Sequence, residues 1–337
     1  MSQTLPDILI IGAGHNGLVC AAYLAAAGLK VRMIERRHIV GGAAVTEEFH
    51  SGFRNSTASY TVSLLNPKVI KDLDLYANGL KVVERDISNF WPLGTKPGEY
   101  LKLTFDPARN AEEFARHSKK DADALPRYYE AIDKAADVLR GLVLDIPPNL
   151  GGGFSDLIRA AKTGAPLARL KLPEQRLILD LFTKSAAEFL KGYFEHPAII
   201  GAFAFDGIVG AYAAPSTPGT AYVLLHHCFG EVNGKPGVWG HAIGGMGAIT
   251  RAMAAAARER GAEIRTGAAV ASLRMTGERA TGLVLASGEE IRARAVASNI
   301  GPKLLFRVLV PEAAVAPELR ARFIGTKTGS GTFRMNV

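Results

Sequence analysis

Cysteine is nearly missing from this sequence. Its 337 residues hold two, Cys20 and Cys228, far apart in the chain. That excludes a disulfide-stapled scaffold, a CxxC redox pair and a cysteine-rich metal site, and it fits a reducing, cytoplasmic setting. The start of the chain, Met1 to Asp7, has neither the basic segment nor the apolar segment of a secretory signal. Continuous apolar runs of membrane-spanning length are also lacking. The most apolar stretch, Pro197 to Pro215, carries Asp206 and several glycines, so it reads as buried core or cavity wall. No block of five like charges occurs, and 40 basic against 32 acidic residues leave a net +8 spread along the chain. Such a chain has no basic tail, and nucleic acid is not expected as a partner. Gly (36) and Pro (17) follow no period, which removes collagen-like and low-complexity classes. What remains is an ordinary globular composition, 48% hydrophobic and 21% charged, with length for roughly two domains.

The informative region is the first forty residues. Ile8-Leu9-Ile10-Ile11 is a short, β-branched apolar run, the pattern of a strand buried on both faces. Gly12-Ala13-Gly14-His15-Asn16-Gly17 follows at once, then an Ala- and Leu-rich helix, Leu18 to Ala27, then a second strand, Lys30 to Ile34, ending at Glu35. In this spacing Gly12 permits the tight strand-to-helix turn, Gly14 lets a pyrophosphate approach the backbone, and Gly17 lets the helix pack closely. The helix start offers free N–H groups and a positive dipole end. A carboxylate at the tip of the second strand suits ribose hydroxyls and would repel a 2′-phosphate. Arg36 and then Gly41-Gly42-Ala43-Ala44 extend the motif in a flavoprotein manner. No second GxGxxG occurs, so a separate NAD domain is not expected.

Beyond this region the pattern turns helical. Asp106 opens a long helical stretch, Gly151-Gly152-Gly153 reads as a linker, and helices are expected over Ser155 to Ala161 and Glu174 to Tyr193. The last carries Arg176, Lys184 and Lys191, either a solvated face or a peripheral membrane contact. From Trp239 the α/β pattern returns: Gly244-Gly245-Met246-Gly247, a helix from Ala248 to Arg260, a strand at Glu263 to Thr266, and further strand-like runs at Ala269 to Met275, Ala280 to Ala286 and Glu290 to Ala297. No metal-ligating set and no catalytic triad is visible. His226 and His227, read as neighbours in a strand, point to opposite faces, so at most one faces a substrate; a structural histidine hydrogen-bonded in the insert is the default reading. Cys228 reads as a small core residue, and Trp239 as packing or a substrate platform.

Taken together, Ile11 to Leu18, Glu35, Gly41 to Thr46, Tyr193-Phe194-Glu195, Pro218 to Tyr222, Leu225-His226-His227 and Trp239 to Gly247 resemble the phytoene desaturase-like FAD-dependent oxidoreductases over nearly the whole chain. The resemblance implies an α/β fold: a Rossmann-like FAD-binding domain of the glutathione reductase/amine oxidase type, built from residues 1–75 and 238–311. A mainly helical α+β substrate domain, 76–237 with 312–337, would interrupt it. It implies cofactor contacts at Gly12, Ala13, Gly14, His15, Asn16, Gly17, Glu35, Arg36, Gly41, Gly42, Ala43, Val270 and Asn299, with the Val270 backbone at adenine and Ala297-Ser298-Asn299 closing the domain. His226, His227 and Trp239 are the candidate substrate residues. The implied activity is transfer of a hydride from a hydrophobic, polyene- or lipid-like substrate to flavin N5. A non-catalytic flavin-binding regulator or scaffold and an amine oxidase-like enzyme stand as alternatives, although no aromatic cage is visible. Family chains carry a further glycine-rich segment, so this chain, whose last residues Gly331 to Val337 alternate like a strand, is expected to be truncated.

Overall fold

The computed structural model describes residues 5–149, 151–226, 228–331, 333 and 335. The aliphatic run forms β1 (Ile8–Ile11), with Leu9, Ile10 and Ile11 buried. α1 (His15–Ala26) and β2 (Val31–Ile34) follow. α1 begins at His15 rather than Leu18, because the Leu18 N–H already donates to Gly14 O at 2.9 Å. A hairpin not expected from the sequence comes next, β3 (Thr46–His50) and β4 (Phe53–Ser56); apart from the exposed Phe49 and Phe53 its strand residues are polar, so they show no apolar alternation. α2 (Pro67–Asp72) starts on Asn66, whose Oδ1 accepts the Lys68 N–H at 2.9 Å. β5 (Val82–Glu84) leads out of this first unit, which comprises the residues to Val83 and His241–Thr328.

The second unit comprises Glu84–Gly240 and Gly329–Phe333. β6 (Asn89–Pro92) and β7 (Tyr100–Leu103) pair antiparallel. Asp106 and Ser118 then cap α3 (Pro107–Ala115) and α4 (Lys119–Arg140). α5 (Phe154–Ala168), α6 (Leu172–Thr183), α7 (Ala186–Lys191), α8 (Pro197–Asp206) and α9 (Ala221–His226) follow, then the short strands β8 (Glu231–Val232) and β9 (Lys235–Pro236). The helix expected over Glu174 to Tyr193 is thus two helices. The chain becomes extended at Lys184 and restarts at Ser185, whose hydroxyl accepts the Glu188 N–H at 3.1 Å. The core is aromatic: Phe114, Tyr128, Phe194 and Phe203 pack together, with Tyr128 and Phe203 ring centroids 4.9 Å apart. Each fully buried large side chain contributes about 1.5–3 kcal/mol. The Tyr193-Phe194-Glu195 motif is fixed by Asp121, fully buried, whose carboxylate accepts the N–H groups of Glu195 and His196 at 3.0 and 2.9 Å. On α5 no residue is buried, and Phe154 and Leu157 are 78% and 65% exposed. No helix of the described residues is long and apolar enough to cross a membrane.

The chain re-enters the first unit along β10 (Gly240–Ala242). α10 (Met246–Glu259) then leads to β11 (Glu263–Arg265), which pairs parallel with β2. β12 (Val270–Thr276), β13 (Arg279–Leu285) and β14 (Glu290–Arg292) form an antiparallel meander, and β15 (Ala295–Ser298) joins β1. The run read as Glu290 to Ala297 therefore splits between two sheets. The parallel sheet has the order β11-β2-β1-β15, with Ile10 opposite both Met33 and Ala297. The meander buries Leu283, Leu285 and Ile291 against Leu9, Ile11 and Ile34. α1 and α10 pack on each other and on the strands through Ala21, Ala22, Ala25, Ala252 and Ala256. α11 (Pro302–Leu304) continues as a π-helical turn, Leu305–Leu309, and α12 (Pro317–Ile324) packs on it, with Phe306 and Phe323 stacked at 4.3 Å. Residues 312–328, expected with the inserted domain, therefore group with the first unit. Of the expected terminal strand, Gly331, Phe333 and Met335 have no regular structure; Thr332, Arg334, Asn336 and Val337 lie outside the described residues.

Candidate functional site

β1 and β2 deliver Gly12 and Glu35 side by side at the carboxyl end of the sheet. Gly12 N–H donates to Ile34 O and Glu35 N–H to Arg265 O, both at 2.9 Å. The Glu35 side chain is only 8% exposed. Its Oε2 accepts the Ala13 N–H at 2.8 Å and its Oε1 the Arg37 N–H at 2.9 Å, so the carboxylate holds the glycine loop to the end of β2. Each oxygen keeps a further lone pair. Glu35 opens onto a groove of about 540 Å³ lined also by Gly12, Gly14, Arg36, Gly42, Val270 and Asn299, with apolar wall from Ile300, Leu304 and Val308. Residues distant in sequence thus meet in one groove.

The glycines are packed to contact. Gly41 N–H donates to Ala13 O at 2.9 Å, and Gly41 pairs with Gly14 in a parallel bridge. Gly42 has φ +58°, and a Cβ there would stand 3.0 Å from the Gly14 Cα. A Cβ at Gly17 would stand 2.5 Å from Gly12 O and 2.9 Å from Asn299 Nδ2, so α1 can sit against the turn only with glycine at this position. Ala13, Gly17 and Gly41 hence shape the loop rather than line the groove. No side chain caps α1 at Gly14, and its first-turn N–H groups have no intrahelical acceptor.

His15, Asn16 and Ala43, expected beside the other cofactor residues, line a second cavity of about 370 Å³ instead, with Val62, Leu65 and Met253. The two spaces lie one peptide apart, at Gly14/His15 and Gly42/Ala43. In each loop the lining residues before that peptide belong to the groove and those after it to the second cavity, which the sequence motif alone does not separate. Burial holds the His15 imidazole below its usual 6.5.

The second glycine segment has another role. Gly245 (φ +73°) is the N-cap of α10 and has no side chain to cap it. Two hydroxyls from the hairpin take the place of a cap: Thr46 Oγ1 accepts the Gly247 N–H at 2.9 Å, and Ser56 Oγ accepts the Met246 N–H at 3.0 Å. Thr250 Oγ1 donates to Ala44 O at 2.9 Å, tying α10 to the Gly41–Ala44 loop. Thr46, Ser56 and Thr250 were not among the expected site residues. Their types are common N-cap types, but their partners lie about two hundred residues away in sequence.

The substrate candidates fall in the second unit. Trp239 lines a chamber of about 280 Å³ with Tyr128, Tyr129, Phe203, Asp206 and Cys228, and the Arg85 guanidinium lies 5.4 Å from its ring centroid. His226 ends the helix α9, so the strand geometry read for the histidine pair does not hold; His227 lies outside the described residues. Both cysteines are free thiols, and burial pushes Cys228 up to about 12, too high for a thiolate at neutral pH. No group of three or more potential metal ligands occurs among the described residues.

A family model described as flavin containing amine oxidoreductase matches residues 17–326. The rat protein called pyridine nucleotide-disulfide oxidoreductase domain-containing protein 2 is 38% identical over 98% of this chain and 59% of its own length. The phytoene desaturase (lycopene-forming) of Pantoea ananas is 26% identical over 90% of this chain and 57% of its own. Among solved structures, an oxidoreductase from Methanosarcina mazei superposes with TM-score 0.60 at 17% identity, over 94% of this chain and 64% of that one; this likeness concerns the fold. The chain thus spans about three-fifths of the length of the relatives it matches.

Proposed function

The chain belongs to the flavin containing amine oxidoreductase family, whose cofactor is FAD, and we propose that it serves an oxidoreductase acting on a small hydrophobic substrate. One observation carries this reading: the start of α1 carries no side-chain cap and is packed under Gly41 and Gly42, with the anchored Glu35 carboxylate beside it. The residues fit the cofactor. The first-turn N–H groups and the helix dipole would hold the two phosphates, and the absent Cβ atoms of Gly14 and Gly42 leave the backbone open to them. The free lone pairs of Glu35 would take ribose hydroxyls, and the Val270 backbone the adenine. The groove on one side of the glycine loops and the apolar cavity on the other would take the two ends of an elongated dinucleotide. Arg36 would add positive charge at the rim. When bound, FAD supplies a hydride acceptor at flavin N5; the protein contributes binding, orientation and exclusion of water. Disulfide chemistry is no part of the proposal, since Cys20 and Cys228 are both free thiols.

The experiment is a visible spectrum of the purified protein. A yellow protein that bleaches with dithionite supports the reading, and a colourless protein that cannot be reconstituted with FAD overturns it. Anaerobic bleaching by a member of a lipid and polyene panel separates an enzyme from a flavin-binding scaffold.

A further inference from the structure

The second unit holds a carboxyl oxygen that is shielded from solvent and that no hydrogen bond engages. Asp206 closes α8 and lines the 280 Å³ chamber, a volume at the small end of ligand pockets, which run from roughly 300 to 1,000 Å³. Its Oδ1 is shielded from solvent and has no hydrogen-bond partner, an arrangement that a folded protein pays for unless a ligand completes it. No lysine, arginine or histidine occurs among the described lining residues. The arginines nearby are engaged. Arg140 pairs with Asp137 and donates to the Cys228 carbonyl at 2.7 Å, while Arg85 lies over the Trp239 ring and donates to Ser88 O at 2.7 Å. The titratable groups sharing the chamber are Asp133, Tyr128, Tyr129 and Cys228, and none supplies a positive charge. Burial pushes Asp206 up to about 7, so below neutrality its carboxyl is largely a neutral O–H donor.

A second donor sits in the same wall. Asn110 Oδ1 accepts from the Thr104 N–H at 2.7 Å and from Thr104 Oγ1 at 3.0 Å. That fixes the Asn110 amide, whose Nδ2 donates to Tyr129 Oη at 2.8 Å. Tyr129 accepts there, and its own proton remains available to the chamber. Burial raises Tyr129 to about 12, so it stays protonated.

We propose that this chamber binds a small uncharged molecule through a carbonyl oxygen, held by the carboxyl of Asp206 and the hydroxyl of Tyr129 against an aromatic wall. A carboxylate or phosphate ligand would find no cation among the described lining residues, and a hydrocarbon would leave Asp206 Oδ1 without a partner. The proposal is independent of the flavin reading, because it concerns binding within the second unit.

The test uses the whole chain and three isosteric probes followed by ligand-observed NMR: cyclohexanone, methylenecyclohexane and cyclohexylammonium. Cyclohexanone is expected to bind at pH 6 about tenfold tighter than the hydrocarbon, and several-fold weaker at pH 8.5, as Asp206 ionises. Asp206→Asn, which keeps a donor, should retain the ketone affinity and lose its pH dependence. Asp206→Leu should lose the ketone preference while still binding the hydrocarbon, and Tyr129→Phe should weaken the ketone alone. Equal affinity for ketone and hydrocarbon, no binding of any probe, or a preference for the ammonium ion that grows with pH would each overturn the proposal; the last would mean that Asp206 acts as an anion.

Discussion

Two helices of the first unit begin in the same way and end up doing different work. α1 and α10 both start after glycines, both are rich in alanine, and they pack against each other. By motif alone either start is an anion site. At α10, Thr46 and Ser56 fill the end with hydroxyl oxygens, and the dipole is spent on holding a hairpin. At α1 no side chain caps the end, and the groove with Glu35 lies alongside. A glycine turn before a helix therefore provides an opportunity for a phosphate; what packs over the first turn decides whether it is used.

The contrast can be broken most strongly at Gly17. Gly17→Ala places a Cβ against Gly12 O, and overpacking of this kind costs about 1–3 kcal/mol. Urea unfolding should show that loss, and purified protein should retain no FAD; full retention would remove the link between close packing and cofactor binding. Thr46→Val is the counterpart at α10. It leaves the buried Gly247 N–H unpaired, at a cost of about 1–3 kcal/mol, so stability should fall by that amount in the same assay. FAD affinity should fall less than in a Glu35 variant. If FAD affinity collapsed instead, α10 would be part of the cofactor site and the comparison would fail. Glu35→Ala should weaken FAD about tenfold in a fluorescence titration, the worth of a charge-assisted hydrogen bond, and unchanged retention would refute the ribose assignment. The smallest effect is expected from inorganic pyrophosphate on flavin-free protein. It should raise Tm by about 2–4 °C through linkage, equally in wild type and Thr46→Val, since the site is at α1.

Sequence periodicity reached the elements whose stability is local. Ile8–Ile11 is aliphatic throughout and became a strand buried on both faces; the glycine spacing placed the turn. The hairpin Thr46–Ser56 escaped because its residues are mostly polar and exposed and show no apolar alternation, and it exists through pairing and through its hydroxyls' bonds to α10. The helix break at Lys184–Ser185 falls in the short polar run Thr183-Lys184-Ser185, which helix periodicity tolerates and where the serine cap decided the matter. Of the candidate site, Gly12, Gly14, Glu35, Arg36, Gly42, Val270 and Asn299 do share one groove, while His15, Asn16 and Ala43 face another cavity, because each glycine loop passes from one space to the other at a single peptide.

The sequence by itself determined the strand–glycine–helix start, its acidic residue and the family, since each depends on residue types at short, fixed spacing. Tertiary structure alone decided that α10 is capped by distant hydroxyls, that Glu35 is locked to Ala13 and Arg37, and that Asp206 faces a chamber whose described lining holds no lysine, arginine or histidine. Hydrogen-bond satisfaction and burial depend on what the chain brings alongside a residue, and no local pattern records that.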